Sequence, residues 1–353
     1  MFVKNAWYIA ALAGEIGDKP LARTILGKPL VLFRSQEGTV AALDDRCCHR
    51  GLPLSLGEVV HDGLQCGYHG LVFDTQGKCV RVPGQEKIPA AACVRQYPCV
   101  QRHEFIWLWM GDAALAEQTP LVTDPAWGAG WAEGRHESTM CAIQCNYQMV
   151  VDNLMDVTHV GYVHRNTIGG NAEVHSKAPT TVSRTPTGVK FVRWMRGSVP
   201  PKTYVNAAGF KGLVDRWQVF EYVAPSVIFQ HSGSVEHGKA DSVSLPADLP
   251  ADVGGVSFRI LHGMTPESEN SCFYFWSLAN PSDTRMGADE PPSQLFIEVR
   301  EAFDEDKMIL QAQEARLAQT PDLPLVDIAS DAARIAARRA VEARLNEEAK
   351  AAA

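Results

Sequence analysis

Two short runs limit what this chain can become: Cys47-Cys48-His49 and, after sixteen further residues, Cys66-Gly67-Tyr68-His69. Each run offers one thiolate and one imidazole, Cys47 with His49 and Cys66 with His69. Structural zinc sites usually pair like with like, as C-x2–4-C and H-x3–5-H. Here both pairs are mixed, and the first has a single intervening residue, which argues against zinc. Gly51, Pro53, Gly67 and Gly70 flank the four residues, as expected for loops whose backbone amides approach a bound group. Cys48 is expected to be a small buried hydrophobe rather than a further ligand.

Two thiolates and two neutral imidazoles are the donor set of a Rieske [2Fe–2S] cluster, with two Cys on one iron and two His on the other. Replacing two thiolates by imidazoles raises the reduction potential. Such a centre accepts electrons from a ferredoxin-type donor and passes them onward.

A cluster module of this kind needs about 100 residues, and the chain has 353. More than half is left for a second domain. The net charge of -8 argues against nucleic acid and anionic membrane partners. No run of about 18 apolar residues offers a membrane span. The start, MFVKNAWYIAALAGEIGDKP, lacks a basic leader region and predicts a strand and a turn rather than a signal peptide. Nine cysteines without such a signal predict reduced thiols and a cytoplasmic location.

Residues 1–110, within a first domain expected over 1–115, are dense in short strand patterns broken by Gly, Asp and Pro: PLVLFR (29–34), TVAALDD (39–45), LVFDTQGKCV (71–80) and FIWLWMGD (105–112). They predict an all-β module, with a hairpin turn at Asp74 to Gly77. Segment 113–135 reads as a linker. Residues 116–353 predict a second domain: a helix over 145–166, strands within 179–193, 213–231 and 255–280, then amphipathic helices over 293–319 and 331–350. Strands followed by helices make the whole an α+β protein.

The segment Asn153-Leu-Met-Asp156-Val-Thr-His159-Val-Gly-Tyr-Val-His164 carries a second chemical signal. Two histidines and a distant carboxylate form the facial triad of a non-haem Fe(II) site, which leaves positions open for O2 and substrate. A one-electron cluster upstream needs such an acceptor. Asp156 and His159, three residues apart, are expected on one helix face. His164 requires that helix to loosen near Gly161. The carboxylate is expected from the 293–319 helix. Asp306 falls on the apolar stripe of Val299, Phe303 and Leu310, and a core-facing carboxylate is costly unless paired or on a metal. Asp304, toward the polar side, is the alternative. Asn153 is expected near the iron as a polar neighbour of its ligands.

These residues together resemble the catalytic subunit of Rieske non-haem iron oxygenases. K-N-A-W-Y-I-A-A, C-G-Y-H-G-L, P-G-Q (83–85), F-I-W-L-W (105–109), V-D-N-L-M-D-x-x-H-x4-H and T-P-E-S (265–268) resemble the branch of vanillate and dicamba demethylases and toluenesulfonate methyl-monooxygenase. Cys48 stands where the vanillate enzymes usually carry proline, so C-C-H-R is closer to the toluenesulfonate enzyme. The resemblance implies a Rieske domain, then a helix-grip catalytic domain, in a head-to-tail homotrimer. It implies that Asp156 bridges a cluster histidine of one subunit and an iron histidine of the next. It implies that a flavin/[2Fe–2S] reductase passes electrons from NADH, since the chain lacks a G-x-G-x-x-G fingerprint of its own. His262, just before T-P-E-S, resembles the family's contact to a substrate carboxylate. The activity implied is oxidation of a methyl or methoxy group on a carboxylated or sulfonated arene. A ring hydroxylase or dioxygenase is the alternative within the class, and an electron carrier without catalytic iron the alternative outside it.

Overall fold

The structure is a computed structural model and describes residues 1–242, 255–284 and 291–351. It divides into two compact units. The first comprises Met1–Val122 and Thr265–Phe275, the second Thr123–Met264 and Trp276–Ala353.

The first unit is built on three small antiparallel sheets. Leu21–Ile25, Lys28–Arg34, Val40–Asp44 and Gln96–Tyr97 form one. Glu58–Val60, Gly63–Gln65, Val72–Phe73 and Cys79–Arg81 form the next. Trp7–Leu12, Phe105–Trp109 and Cys99–Arg102 form the third. Leu30 to Phe33 are all fully buried, so this strand is apolar without alternation, as a strand covered on both faces must be. The expected turn at Asp74 to Gly77 forms. The Asp74 carboxylate accepts the Gln76 and Lys78 amides at 2.9 Å each, and Gly77 supplies φ +76°.

The second unit is built on a seven-stranded sheet with helices, two of whose strands include residues, within Thr265–Phe275, that belong to the first unit. Its strand order is Gly134–Ile143, Ser271–Thr284, Val256–Ser268, Val227–Glu236, Val214–Val223, Gly188–Ser198 and Thr180–Arg184. Three helices matter for the site: Tyr147–Met155, Gln294–Gln319 and Ala332–Ala351. Ser293 caps the second, accepting the Phe296 amide at 3.1 Å. Arg338 of the third grips the Asp152 carboxylate of the first with Nε at 2.9 Å and Nη2 at 2.6 Å. Such a two-pronged pair fixes orientation as well as distance. The overall class is α+β, as the sequence predicts.

Two local expectations are corrected. Segment 113–135 is not a plain linker: Trp131 is buried against Ala126 and Ala279, and the Asp124 carboxylate caps a helical turn by accepting the Ala126 amide at 2.9 Å. The 145–166 helix ends at Met155, well before Gly161. Asp156 is extended (φ -132°, ψ 94°), and the chain continues as two short helical turns, Val157–His159 and Val160–Val163. Asp156 and His159 therefore do not share a helix face.

Candidate metal centres

Two loops of the first unit carry the cysteine–histidine pairs, and they are built alike. The Cys47 amide donates to Leu52 O at 2.9 Å, and the Cys66 amide to Leu71 O at 2.8 Å. Gly51 and Gly70 return each loop with φ +76° and +73°, a region that favours glycine. Cys47 and Cys66 are buried on a floor of Leu54, Leu64, Leu71 and Phe73. His49 and His69 are exposed, with ring centroids 4.6 Å apart. Burial pushes the Cys47 thiol up to about 11, reinforced by Cys66 beside it. A bare Cys47 thiolate is thus disfavoured, and a bound cation is what would hold it deprotonated. Two buried sulfurs and two outer imidazoles fit a cluster with one iron on each pair. Cys48 is exposed rather than buried, which corrects its expected place in the core.

The second unit brings His159, His164 and Asp306 together. One ligand atom from each lies within 4.8 Å of the others. Asp306 Oδ1 is 3.4 Å from His159 Nε2 and 3.1 Å from His164 Nε2. Both imidazoles are held from behind through Nδ1. His159 Nδ1–H donates to the Asp156 carbonyl at 2.7 Å, and His164 Nδ1 meets a Glu305 carboxylate oxygen at 2.7 Å. That arrangement leaves each Nε2 lone pair for a metal. Asn153 donates from Nδ2 to Asp306 Oδ1 at 3.0 Å, so it touches the carboxylate rather than open helix surface. Asp304 is exposed and Asp306 buried, as the stripe predicts. Burial would raise the Asp306 pKa, but hydrogen bonds and charge from His159 and His164 hold it well below the carboxylate range. Burial would lower His164, but Asp306 and Glu305 raise it. A carboxylate and two imidazoles aimed at one point fit a divalent cation better than any pairing among themselves.

The helix break serves this geometry. The Asp156 carboxylate caps the turn that follows, accepting Thr158 N at 2.9 Å and Thr158 Oγ1 at 2.7 Å, and it also accepts Ser330 Oγ at 2.9 Å. A cap there turns the chain so that His159 faces Asp306. Gly161 lies where the Ala172–Lys177 helix crosses: a Cβ on it would sit 2.3 Å from Ala172 Cα.

His262 is fully buried. Burial pushes its pKa down to about 3 despite Asp306 nearby. The ring is neutral, 2.9 Å from Gln230 Oε1, and Gln230 Nε2 donates to Ser232 Oγ at 2.7 Å. Phe273 to Trp276 are all buried, and Trp276 packs edge-on against Phe303 at 4.9 Å. Glu305 and Thr167 carry weight that the sequence did not signal, and Gly161 carries it for a different reason from the expected helix break. Thr167 Oγ1 donates to the same Glu305 oxygen at 3.0 Å.

Comparison with known proteins bears on both units. Residues 6–98 match the Rieske [2Fe-2S] domain, and residues 143–347 match the vanillate O-demethylase oxygenase C-terminal domain. A putative toluene-4-sulfonate monooxygenase system iron-sulfur subunit of Comamonas testosteroni is 39% identical over 335 residues, covering 94% of each chain. A vanillate O-demethylase oxygenase subunit of Pseudomonas sp. (strain HR199 / DSM 7063) is 36% identical, covering 100% of this chain and 97% of its own. The crystal structure of dicamba monooxygenase bound to dicamba superposes with a TM-score of 0.83 at 32% identity over 99% of both chains. One solved dicamba monooxygenase structure contains non-heme iron. The chain belongs to the Rieske oxygenase family, as an oxygenase subunit whose second half is the vanillate O-demethylase oxygenase C-terminal domain.

Proposed function

We propose that this protein is the terminal oxygenase of a two-component, NADH-dependent system that oxidises a methyl or methoxy group on an anionic arene. The observation that carries the reading is the His159, His164 and Asp306 cluster on a chain that also bears a Rieske domain. The similarity to oxygenase subunits named for vanillate and toluene-4-sulfonate supports the substrate class.

Cys47, Cys66, His49 and His69 would hold the cluster, in a domain spanning 1–115. His159, His164 and Asp306 would hold the mononuclear iron, in a domain spanning 116–353. When bound, the cluster supplies single electrons and the iron supplies a place for O2 to be reduced beside the substrate. The protein's own part is positioning. Asp156 O and Glu305 fix the two imidazoles, Asn153 orients Asp306, and Phe303 and Trp276 exclude water nearby. A methoxyarene, O2, NADH and H+ would give a phenol, formaldehyde, NAD+ and water. A methylarene would give the benzylic alcohol in place of phenol and formaldehyde.

A separate flavin/[2Fe–2S] reductase is the electron source in this reading. A head-to-tail homotrimer is supported by a cleft of about 420 Å3 lined by Asp156, His159, Leu325 and Val326. Val326 is 86% exposed, and the lining sets exposed apolar side chains beside the charged Asp327, Asp331 and Arg334, a mixture that suits a protein-covered surface. No helix among the described residues is long and apolar enough to cross a membrane. The nine free cysteines support a reducing cytoplasm.

Iron and acid-labile sulfide on anaerobically purified protein test the reading. One iron beyond the cluster pair, with formaldehyde formed from vanillate or 4-(hydroxymethyl)benzenesulfonate formed from toluene-4-sulfonate, is expected. Iron and sulfide in equal amounts, with no gain on adding Fe(II), would reduce the protein to an electron carrier.

A further inference from the structure

The loop that follows His164 rests on Arg216. Its Nη1 donates to Gly169 O at 2.9 Å and its Nη2 to Ile168 O at 3.2 Å, and the guanidinium lies 4.8 Å over the Tyr204 ring. Arg216 is 3% exposed. No carboxylate lies within ion-pair reach of it among the described residues. Its partners are two carbonyls and Tyr204, through the ring and a side-chain hydrogen bond; none is anionic, so its charge has no counter-ion. A buried cation of this kind is costly without an anion.

The surroundings deepen the positive field. Arg193, on the neighbouring strand, is 2% exposed, and its Nε and Nη2 have no hydrogen-bond partner. Burial pushes its pKa down to about 10, with Asp156 favouring the charge and Arg216 opposing it. Two histidines lie close by, and burial holds both well below the usual imidazole range: His262 is engaged with Gln230, and His175 shares the Gly169 carbonyl with Arg216.

Arg216 also lines a cavity of about 30 Å3 with Gln218, Gln230, Ser232, Val160 and Phe303. Val160 follows His159 in the chain, and Phe303 lies three residues before Asp306. Arg216 and Gln218 project to one face of their strand, and Ser232 pairs with Gln218 across it. Arg216 Nε and Gln218 Oε1 are buried without partners. A space of this size holds about one water. The polar wall is therefore in place, while room for a ring has to be opened by its apolar neighbours.

We propose that Arg216, with Gln218, Gln230 and Ser232, anchors the anionic substituent of the substrate, a carboxylate or a sulfonate. The proposal rests on the oxygenase reading above and names the residue that selects its substrates. An anion would supply the counter-charge that the buried guanidinium lacks; a neutral arene supplies none, so anionic arenes are favoured over neutral ones.

Calorimetric titration of the holoenzyme tests this independently of turnover. The probes are benzenesulfonate and benzoate, with benzenesulfonamide and benzamide as neutral counterparts. At least one anion is expected to bind tenfold or more tighter than its amide, and which one does so identifies the substituent. Arg216→Met should weaken that anion about tenfold to a hundredfold, the range of a charged hydrogen bond, and its amide far less; Arg216→Lys should fall between. Because Arg216 also supports the 168–169 carbonyls, iron content is measured on each variant. Gln218→Leu, which leaves those contacts alone, should weaken the anion several-fold. Equal binding of anions and amides to the wild type would overturn the proposal, as would an iron-replete Arg216→Met that loses both alike. Absence of turnover on methylated arenes would instead sink the oxygenase reading and leave the binding result standing.

Discussion

His164 and Glu305 are joined at 2.7 Å, Nδ1 to a carboxylate oxygen, while His159 makes its equivalent bond to a neutral backbone carbonyl. The two imidazoles of one proposed iron site are thus supported unequally. A carboxylate behind a ligating histidine raises its basicity and fixes its tautomer. Glu305→Ala is expected to weaken Fe(II) binding by about 10–100-fold. Glu305→Gln keeps an acceptor for Nδ1 and should lose less. Anaerobic Fe(II) titration of the cluster-loaded protein reads this directly, and unchanged affinity in Glu305→Ala would remove Glu305 from the site.

Asp306 and Asp304 are two residues apart, and only Asp306 faces the histidines. Asp306→Asn should purify with its Rieske spectrum intact and one iron less per chain. Asp304→Asn, on an exposed position, should keep full iron. Elemental analysis of the pair separates them, and iron lost from Asp304→Asn instead would reverse the assignment.

Asp306 was legible in the sequence because a carboxylate on an apolar stripe is an energetic anomaly, and helical period locates such anomalies. The cluster loops were legible because their proposed ligands fall in two short runs whose spacing is unlike zinc's. Glu305 gave no such signal. It is next to Asp306 in an acidic run, and its value comes from a histidine 141 positions away. The break at Asp156 was misplaced because apolar spacing continues through it. Capping by its carboxylate, a local competitor of helix, decides the geometry there. Gly161 read as a helix breaker, and its actual reason is the passing backbone at Ala172. Trp131 read as linker because Pro and Gly surround it, although its ring packs against a strand far along the chain.

Gly161→Ala tests that close passage. The added Cβ would meet Ala172 Cα at 2.3 Å, with the Ala172 amide at 2.9 Å. Backbone atoms cannot swing aside as a side chain would. Overpacking of this kind costs about 1–3 kcal/mol, and the shift falls on the turn between His159 and His164. Lower thermal stability together with reduced iron occupancy is expected. A variant with wild-type melting and full iron would show that the two helices separate freely.

His175 offers a pH test. It is 1% exposed, and its Nε2–H donates to Gly169 O at 2.8 Å. Burial, then the charges of Arg216 and Arg193, push its pKa down to about 3, only partly offset by that hydrogen bond. The unfolded chain binds a proton at this residue below about pH 6.5, while the folded chain does not. The native state therefore loses stability as pH falls from about 6.5 toward 3, by about 1.4 kcal/mol per pH unit. At pH 7 His175 contributes nothing to this dependence. Gln replaces the donor without a titrating ring, so His175→Gln should show a shallower acid loss than wild type, by about 2–3 kcal/mol at pH 4.5. Urea unfolding at pH 7 and pH 4.5 on both proteins measures the difference. The other carboxylates and histidines cancel between them, and identical acid dependence would mean that His175 is protonated within the fold.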